Sequence, residues 1–313
     1  MHHPDRPTLE HIQSARERIA DSIRPTPVIS AAPARNPICD APLMLKLECL
    51  QVTGSFKPRG ALSRATTMAP GSIKGLITAS GGNHGLGTAY AAHRLGVSAV
   101  VYLPESAPAE KADKLRDWGA EVRIHGAIWD ESNSAALAAA ETEQLAYIHA
   151  FTDPDVIAGQ GTIGLEILEN APEIDTLVVA IGGGGLIAGV ATAVKTLKPG
   201  IRVIGVEPVG APTHHASRQA GEVVTLDAIR SRAGTLSPRR SEALNFEIIN
   251  DLVDDIVLVE DDAMQQASQW LWKEFGVGTE LAGAASVAAV QAGLAKGNRP
   301  LAIVCGAGSD GLL

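Results

Sequence analysis

Apolar and polar positions along this chain switch between two spacings, and the switches mark its elements. Residues 9–23 set Ile12, Ile19 and Ile23 among charged positions, the pattern of an amphipathic surface helix that stops before Pro25. A Pro-rich connection follows to about residue 42. From Leu43 onward, short runs of Val, Ile and Leu alternate with stretches of helical period. GLITA (75–79), VSAVVYL (97–103) and AEVRI (120–124) predict strands, while HGLGTAYAAHRLG (84–96, closed by Gly96), AEKADKLRDWG (109–119) and residues 132–146 predict helices. Such a βαβαβα block is how a small parallel sheet reads in sequence. A second block repeats the scheme: helix 159–171, strand TLVVAI (176–181), helix 186–197 and strand IRVIGVE (201–207), its strands mainly Val, Ile and Leu as buried parallel strands are. Between residues 209 and 250 the periodicity fails around Arg218, Arg230, Arg232, Arg239 and Arg240, which predicts loops with short helices. Strand DIVLV (255–259), helices 262–275 and 281–295, and strand LAIVC (301–305) complete the chain.

The fold class expected is therefore α/β, with two parallel-sheet domains flanked by helices. The smaller, residues 71–150, is inserted into a larger one built from 1–70 and 151–313. A length of 313 residues suits two domains of roughly 100–200 residues each.

Composition narrows the functional classes. With 45% apolar, 19% charged and only 4% aromatic residues the chain is globular, its core made of aliphatic side chains. The net charge of −9, without a basic stripe, argues against nucleic acid or an anionic membrane and favours a small-molecule partner. Three cysteines without a CxxC pair suggest neither a disulfide framework nor zinc, so a reducing, cytoplasmic setting is expected. The first residues lack the apolar stretch of a signal peptide. The uncharged run 177–194 is long enough to span a bilayer, but Gly182 to Gly185 would break a spanning helix at its middle.

Three segments carry candidate chemistry. In LECLQVTGSFKPRGA (47–61), Lys57 stands just before the helix start expected at Pro58, where it is locally fixed. In apolar surroundings its amine would be neutral near pH 7 and able to attack an aldehyde; taken alone, it reads as a surface lysine. TASGGNHGLG (78–87) is a glycine-rich turn from strand to helix, whose N–H groups at Ser80, Gly81 and Asn83 could hold a carboxylate or phosphate, or simply make a tight turn. Alone, His84 reads as structural. VVAIGGGGLIAG (178–189) has more glycines than a turn needs, and bare backbone cradling a phosphate explains them. Its spacing is neither GxGxxG nor a Walker loop.

In this order, and from RPTPVI (24–29) to CGAGSD (305–310), these segments resemble the fold type II pyridoxal-phosphate (PLP) enzymes, of tryptophan synthase β-like fold, that include serine and threonine dehydratases and serine racemase. The resemblance implies that Lys57 forms an imine with the cofactor aldehyde, that Phe56 packs beside it, and that Asn83 bonds the ring 3-hydroxyl. It assigns the phosphate to Gly182, Gly183, Gly184, Gly185 and Leu186, the pyridine nitrogen to Cys305, and a place near the cofactor to Glu280. A thiol there does not hold the ring protonated as a carboxylate would, which suits β-elimination better than transamination. Lys57 would then act as base at the substrate Cα. The turn formed by Ser80, Gly81, Asn83 and His84 would hold the substrate carboxylate, and Ser80 or the cofactor phosphate would protonate the departing hydroxide.

The expected activity is conversion of serine or threonine into a 2-oxo acid and ammonia. The alternatives are racemisation, 3-hydroxyaspartate dehydration, or a catalytically silent PLP-binding protein. Racemisation needs an acid on the opposite face, a serine in serine racemase where this chain has Gly81. The family pattern is altered at Leu86, at Asp227 to Arg230, and at Gly306 to Gly308. Arg230 could favour a second substrate carboxylate, or be a solvated loop residue. In the family's divalent-ion site Glu207 and Ala211 match but Thr213 replaces aspartate, so no strong metal dependence is expected. The resemblance also implies a homodimer, and no C-terminal regulatory domain is expected.

Overall fold

The computed structural model describes residues 5–69, 71–105, 107 and 109–312. In chain order the elements are α1 (Leu9–Ile19), β1 (Val28–Ser30), β2 (Met44–Lys46), α2 (Lys57–Thr66), β3 (Gly75–Ala79), α3 (Asn83–Leu95) and β4 (Ser98–Leu103). Then come α4 (Ala109–Asp117), β5 (Glu121–Ile124), α5 (Trp129–Glu143), β6 (Ala146–Tyr147), α6 (Pro154–Asn170), β7 (Thr176–Ala180), α7 (Gly185–Leu197) and β8 (Arg202–Pro208). The remainder is α8 (Thr213–Ala220), α9 (Ala243–Leu252), β9 (Asp255–Val259), α10 (Asp261–Phe275), α11 (Leu281–Gln291) and β10 (Pro300–Ile303).

The strands form two sheets. One runs β1-β2-β10-β7-β8-β9, parallel except at the β1–β2 edge; the other runs β5-β4-β3-β6, parallel throughout. All five residues of β7 and all five of β3 are buried, as strands covered on both faces must be. Leu177, Val178, Val203, Ile204, Leu301 and Ala302 join the core of the larger sheet. Helix α2, although outside the smaller sheet in sequence, supplies Ala61, Leu62 and Ala65 to that sheet's cluster. The same helix packs on α3 and α6, so it is wedged where the two layers meet.

The segment 177–194 is strand β7, a turn and most of α7, and no helix among the described residues is long and apolar enough to cross a membrane. Some predicted bounds shift: the helix expected from 159 starts at Pro154, and the one expected to reach 295 ends at Gln291. The helix expected over 132–146 is α5, Trp129–Glu143; it ends on Gln144, whose left-handed φ of 58° no glycine signals, and Ala146 and Tyr147 leave it to pair with β3. β1 lies inside the Pro-rich connection, too short for a period and held by pairing with β2.

Candidate active site

Parallel strands of both sheets end at one place. Ser80 follows β3, the 148–152 segment follows β6, Gly182 follows β7 and Cys305 follows β10, so the carboxyl ends converge on the cleft between the layers.

Lys57 is the first residue of α2, with Pro58 next to it, one position earlier than the sequence suggested. Upstream, the Phe56 N–H donates to Cys305 O at 3.3 Å and Ser55 pairs with Gly306, which pins the helix start to the end of β10. Behind it, Arg59 is fully buried and donates to both oxygens of Glu48 (2.8 and 2.9 Å) and of Glu166 (2.6 and 3.0 Å), and Lys46 also bonds Glu166. α3 comes so close that a Cβ on Gly87 would lie 2.9 Å from the Lys57 carbonyl carbon. Thus backbone on two sides and a buried ion network behind hold the lysine.

The Lys57 amine donates to Ala150 O at 2.7 Å and lies 5.2 Å from the Phe56 ring centroid. Loss of water lowers it from 10.5 to about 8, only partly offset by Cys305 and Glu280. The same burial, together with the Lys57 charge, pushes His84 down to about 3 and His149 to about 4, leaving both imidazoles neutral at pH 7.

The turn after β3 is shaped by its own backbone: a Cβ on Gly85 would lie 2.0 Å from Ser80 O. The Ser80 hydroxyl accepts from the Gly82 N–H at 3.3 Å, and Gly81 faces Leu103 and Lys111. Asn83 donates from Nδ2 to Glu280 Oε1 at 2.7 Å, and Glu280 is pushed up to about 7 by burial and by the nearby Asp310 charge. Only glycine at 306 admits this pair, since a Cβ there would fall 2.3 Å from Glu280 Oε1 and 3.3 Å from Asn83 Nδ2. The His84 side chain turns inward to bond Ile148 O at 2.9 Å. His84 therefore presents to the cleft no charged group for a carboxylate.

The tetraglycine makes a turn closed by the Gly184 N–H on Ile181 O at 3.1 Å, with left-handed φ of 58° at Gly182 and 95° at Gly184. Helix α7 starts at Gly185 without a side-chain cap, so the N–H groups of Gly185, Leu186 and Ile187 have no carbonyl one turn earlier to meet. Phe151 fills the side where other residues would carry Cβ, which at Gly183 would sit 2.3 Å from its ring. Cys305 donates to Ala282 O at 3.4 Å, and burial keeps its thiol protonated far above its usual range.

A lysine amine lowered to about 8, an anion-seeking helix start and a buried thiol thus gather at the same strand ends. The model of pyridoxal-phosphate dependent enzymes matches residues 19–306. The chain belongs to this family. L-threonine ammonia-lyase of Geobacter sulfurreducens is 42% identical over 280 residues, covering 89% of this chain and 69% of that protein. A serine racemase of Oryza sativa subsp. indica is 36% identical over 282 residues, covering 90% and 83%. Among solved structures, the threonine deaminase of T.th. superposes with a TM-score of 0.90 at 38% identity, covering 96% of this chain and 98% of that one. Maize serine racemase gives 0.91 at 32%, covering 96% and 93%. The two-sheet layout is that of fold type II PLP enzymes.

The residues present fit the family's cofactor. Uncapped N–H groups on a glycine turn suit a phosphate dianion, and a lysine lowered to about 8 suits an aldehyde. His214 lies beside the same turn, where a Cβ on Gly184 would fall 2.9 Å from its Nε2, and burial pushes its imidazole down to about 4, neutral at pH 7.

Two other sequence expectations find their places here. Arg230 is exposed and lines a surface groove with Gly210, Arg232, Glu260, Asp261 and Asp262, as a solvated loop arginine does. Glu207 accepts the N–H groups of His214 (2.9 Å) and His215 (2.8 Å), capping α8, while the Thr213 hydroxyl donates to Pro238 O at 2.6 Å. No cluster of three or more His, Cys, Asp or Glu suited to a metal occurs among the described residues. Sequence reasoning missed Phe151, Ala150, Thr235 and Asn245. Thr235 closes over both glycine turns, with Cγ2 3.6 Å from a Cβ on Gly82 and its carbonyl 3.3 Å from one on Gly182. Its segment has no periodicity to find it by.

Proposed function

We propose that this chain is a PLP-dependent ammonia-lyase that converts a small β-hydroxy amino acid, serine or threonine, into a 2-oxo acid and ammonia. The observation that carries this reading is the Lys57 amine, lowered to about 8 and aimed at Ala150 O, the residue beside the Phe151 that packs on the tetraglycine. Bound PLP supplies an aldehyde for a primary amine and an acceptor for the electron pair left at Cα. Lys57, Phe56, Asn83, Glu280, Cys305 and Gly182 to Leu186 would hold it.

Lys57 takes the proton from the substrate Cα, and its lowered pKa suits a base working near neutral pH. The N–H groups after β3, at Ser80, Gly81 and Asn83, orient the substrate carboxylate at the start of α3. The Ser80 hydroxyl, at the same turn, gives a proton to the oxygen leaving Cβ, so that water departs. The enamine left after release takes up water, giving the 2-oxo acid and ammonia. Cys305 stays a neutral thiol and gives the pyridine ring no negative partner, which favours elimination over transamination. Gly81 has no side chain to deliver a proton from the opposite face, which favours elimination over racemisation.

The reading extends to a homodimer in a reducing cytoplasm and to an inserted unit of residues 71–150. The run of β3 to β6 between residues 75 and 147 supports the inserted unit. It is tested by incubating purified protein with L-serine, L-threonine and 3-hydroxyaspartate and measuring keto acid against D-amino acid. Keto acid is expected to dominate with serine or threonine, and Lys57→Ala to lose both the activity and the visible cofactor band. A Lys57→Ala protein with the wild-type band, or D-serine as main product, would sink the proposal.

A further inference from the structure

Beyond the residues that would touch cofactor or substrate, one buried side chain ties the phosphate end of the site to the lysine end. Asn245 lies on α9, in the stretch whose sequence shows no period, and is fully buried. Its amide nitrogen donates twice, to Gly183 O at 2.8 Å and to Phe151 O at 3.0 Å, and its oxygen accepts from the Thr152 hydroxyl at 3.0 Å. Ser241, equally buried, adds a second donor to Gly183 O at 3.1 Å.

We infer that Asn245, seconded by Ser241, is a positioning residue that sets the grip of the tetraglycine turn on a phosphate dianion. The inference rests on the PLP reading and names what holds that site in shape. Four successive glycines have access to many backbone conformations, so something outside the turn must select one. Two donors on the Gly183 carbonyl do so. They fix the orientation of the Gly183–Gly184 peptide, whose own N–H closes on Ile181 O. With Gly182 and Gly184 held in left-handed conformations, the N–H groups of Gly185, Leu186 and Ile187 point together. The second Asn245 donor locks Phe151, whose ring fills the space at Gly183 and whose neighbour Ala150 accepts from Lys57. One amide thus spaces the phosphate grip relative to the amine, the distance that a cofactor anchored at both ends must match.

The test compares PLP with pyridoxal, which has the same aldehyde and ring but no phosphate. Purified wild type and Asn245→Ala are freed of cofactor and titrated with each compound, following the visible absorbance band. The expected result is a PLP dissociation constant raised on the order of tenfold, about 1.4 kcal/mol, with that for pyridoxal changed less than about twofold. Inorganic phosphate should compete with PLP in the wild type and lose that effect in the variant. Ser241→Ala, which leaves the link to Phe151 in place, should show the same selectivity with a smaller change, and it decides the matter if Asn245→Ala does not fold. Equal weakening of both compounds, or an unchanged PLP constant in both variants, would overturn the inference. Failure of the wild type itself to bind PLP would instead overturn the functional reading beneath it.

Discussion

Lys57 gets its chemistry from where α2 begins. A lysine with its amine in water would be charged well beyond pH 8; here the loss of solvent outweighs attraction to Cys305 and Glu280 and brings the group down to about 8. The sign has a direct consequence for the cofactor-free protein. The neutral amine is the nucleophile, so its fraction rises with pH through about 8, and the rate of PLP capture should climb across pH 7–9 and level off above. Stopped-flow absorbance across that range checks it; a rate that keeps climbing towards pH 10.5, the ordinary lysine value, would show an amine left in water. For stability the sign runs the same way. Because the folded value lies below the unfolded one, this lysine disfavours the fold below about pH 8, and the penalty lifts as pH rises towards 10.5. At this scale the motifs around Lys57, Asn83 and Gly182 to Gly185 are legible in the sequence, but the groups they meet are not. His84, which by itself reads as structural, turns its side chain inward to Ile148 O.

Helix α2 is the element on which the site depends, and its anchor is electrostatic. Arg59, Lys46, Glu48 and Glu166 bury two cations against two carboxylates directly behind Lys57. Assembling such a set contributes little net stability, because each ion gives up its water. Removing one member is another matter, since the rest stay buried and unbalanced. Arg59→Met should cost about 3–5 kcal/mol in urea unfolding and loosen Lys57, whereas a change below about 1 kcal/mol would mean that the network is wetter than it looks. The lysine motif shows this arginine, but none of its partners could be paired with it from sequence, because Glu48 precedes the helix and Glu166 lies on α6. The β6 strand shows the same limit on a smaller scale: two residues carry no period, and pairing with β3 decides their state.

The whole molecule brings two sheets together so that strand ends from both supply one cleft. Cofactor contacts would then cross the junction, from Lys57 and Asn83 on the side of α2 and α3 to the tetraglycine on the side of β7 and α7. A ligand that binds only the folded form stabilises it by about 2.7 kcal/mol at a hundred times its dissociation constant. PLP should therefore raise the unfolding temperature of cofactor-free protein more than pyridoxal does, read by differential scanning calorimetry. Equal shifts would place the phosphate outside the tetraglycine turn. By itself the sequence determined the alternation of strand and helix, the glycine turns and the lysine that make this a PLP-family chain. Periodicity, φ > 0 and amine chemistry are local properties, written in adjacent residues. Only the tertiary structure decided that Ala150 meets Lys57, that Glu280 meets Asn83 and that Asn245 holds Gly183. Such partners lie far apart along the chain, and they become neighbours only when apolar burial closes the two layers on each other.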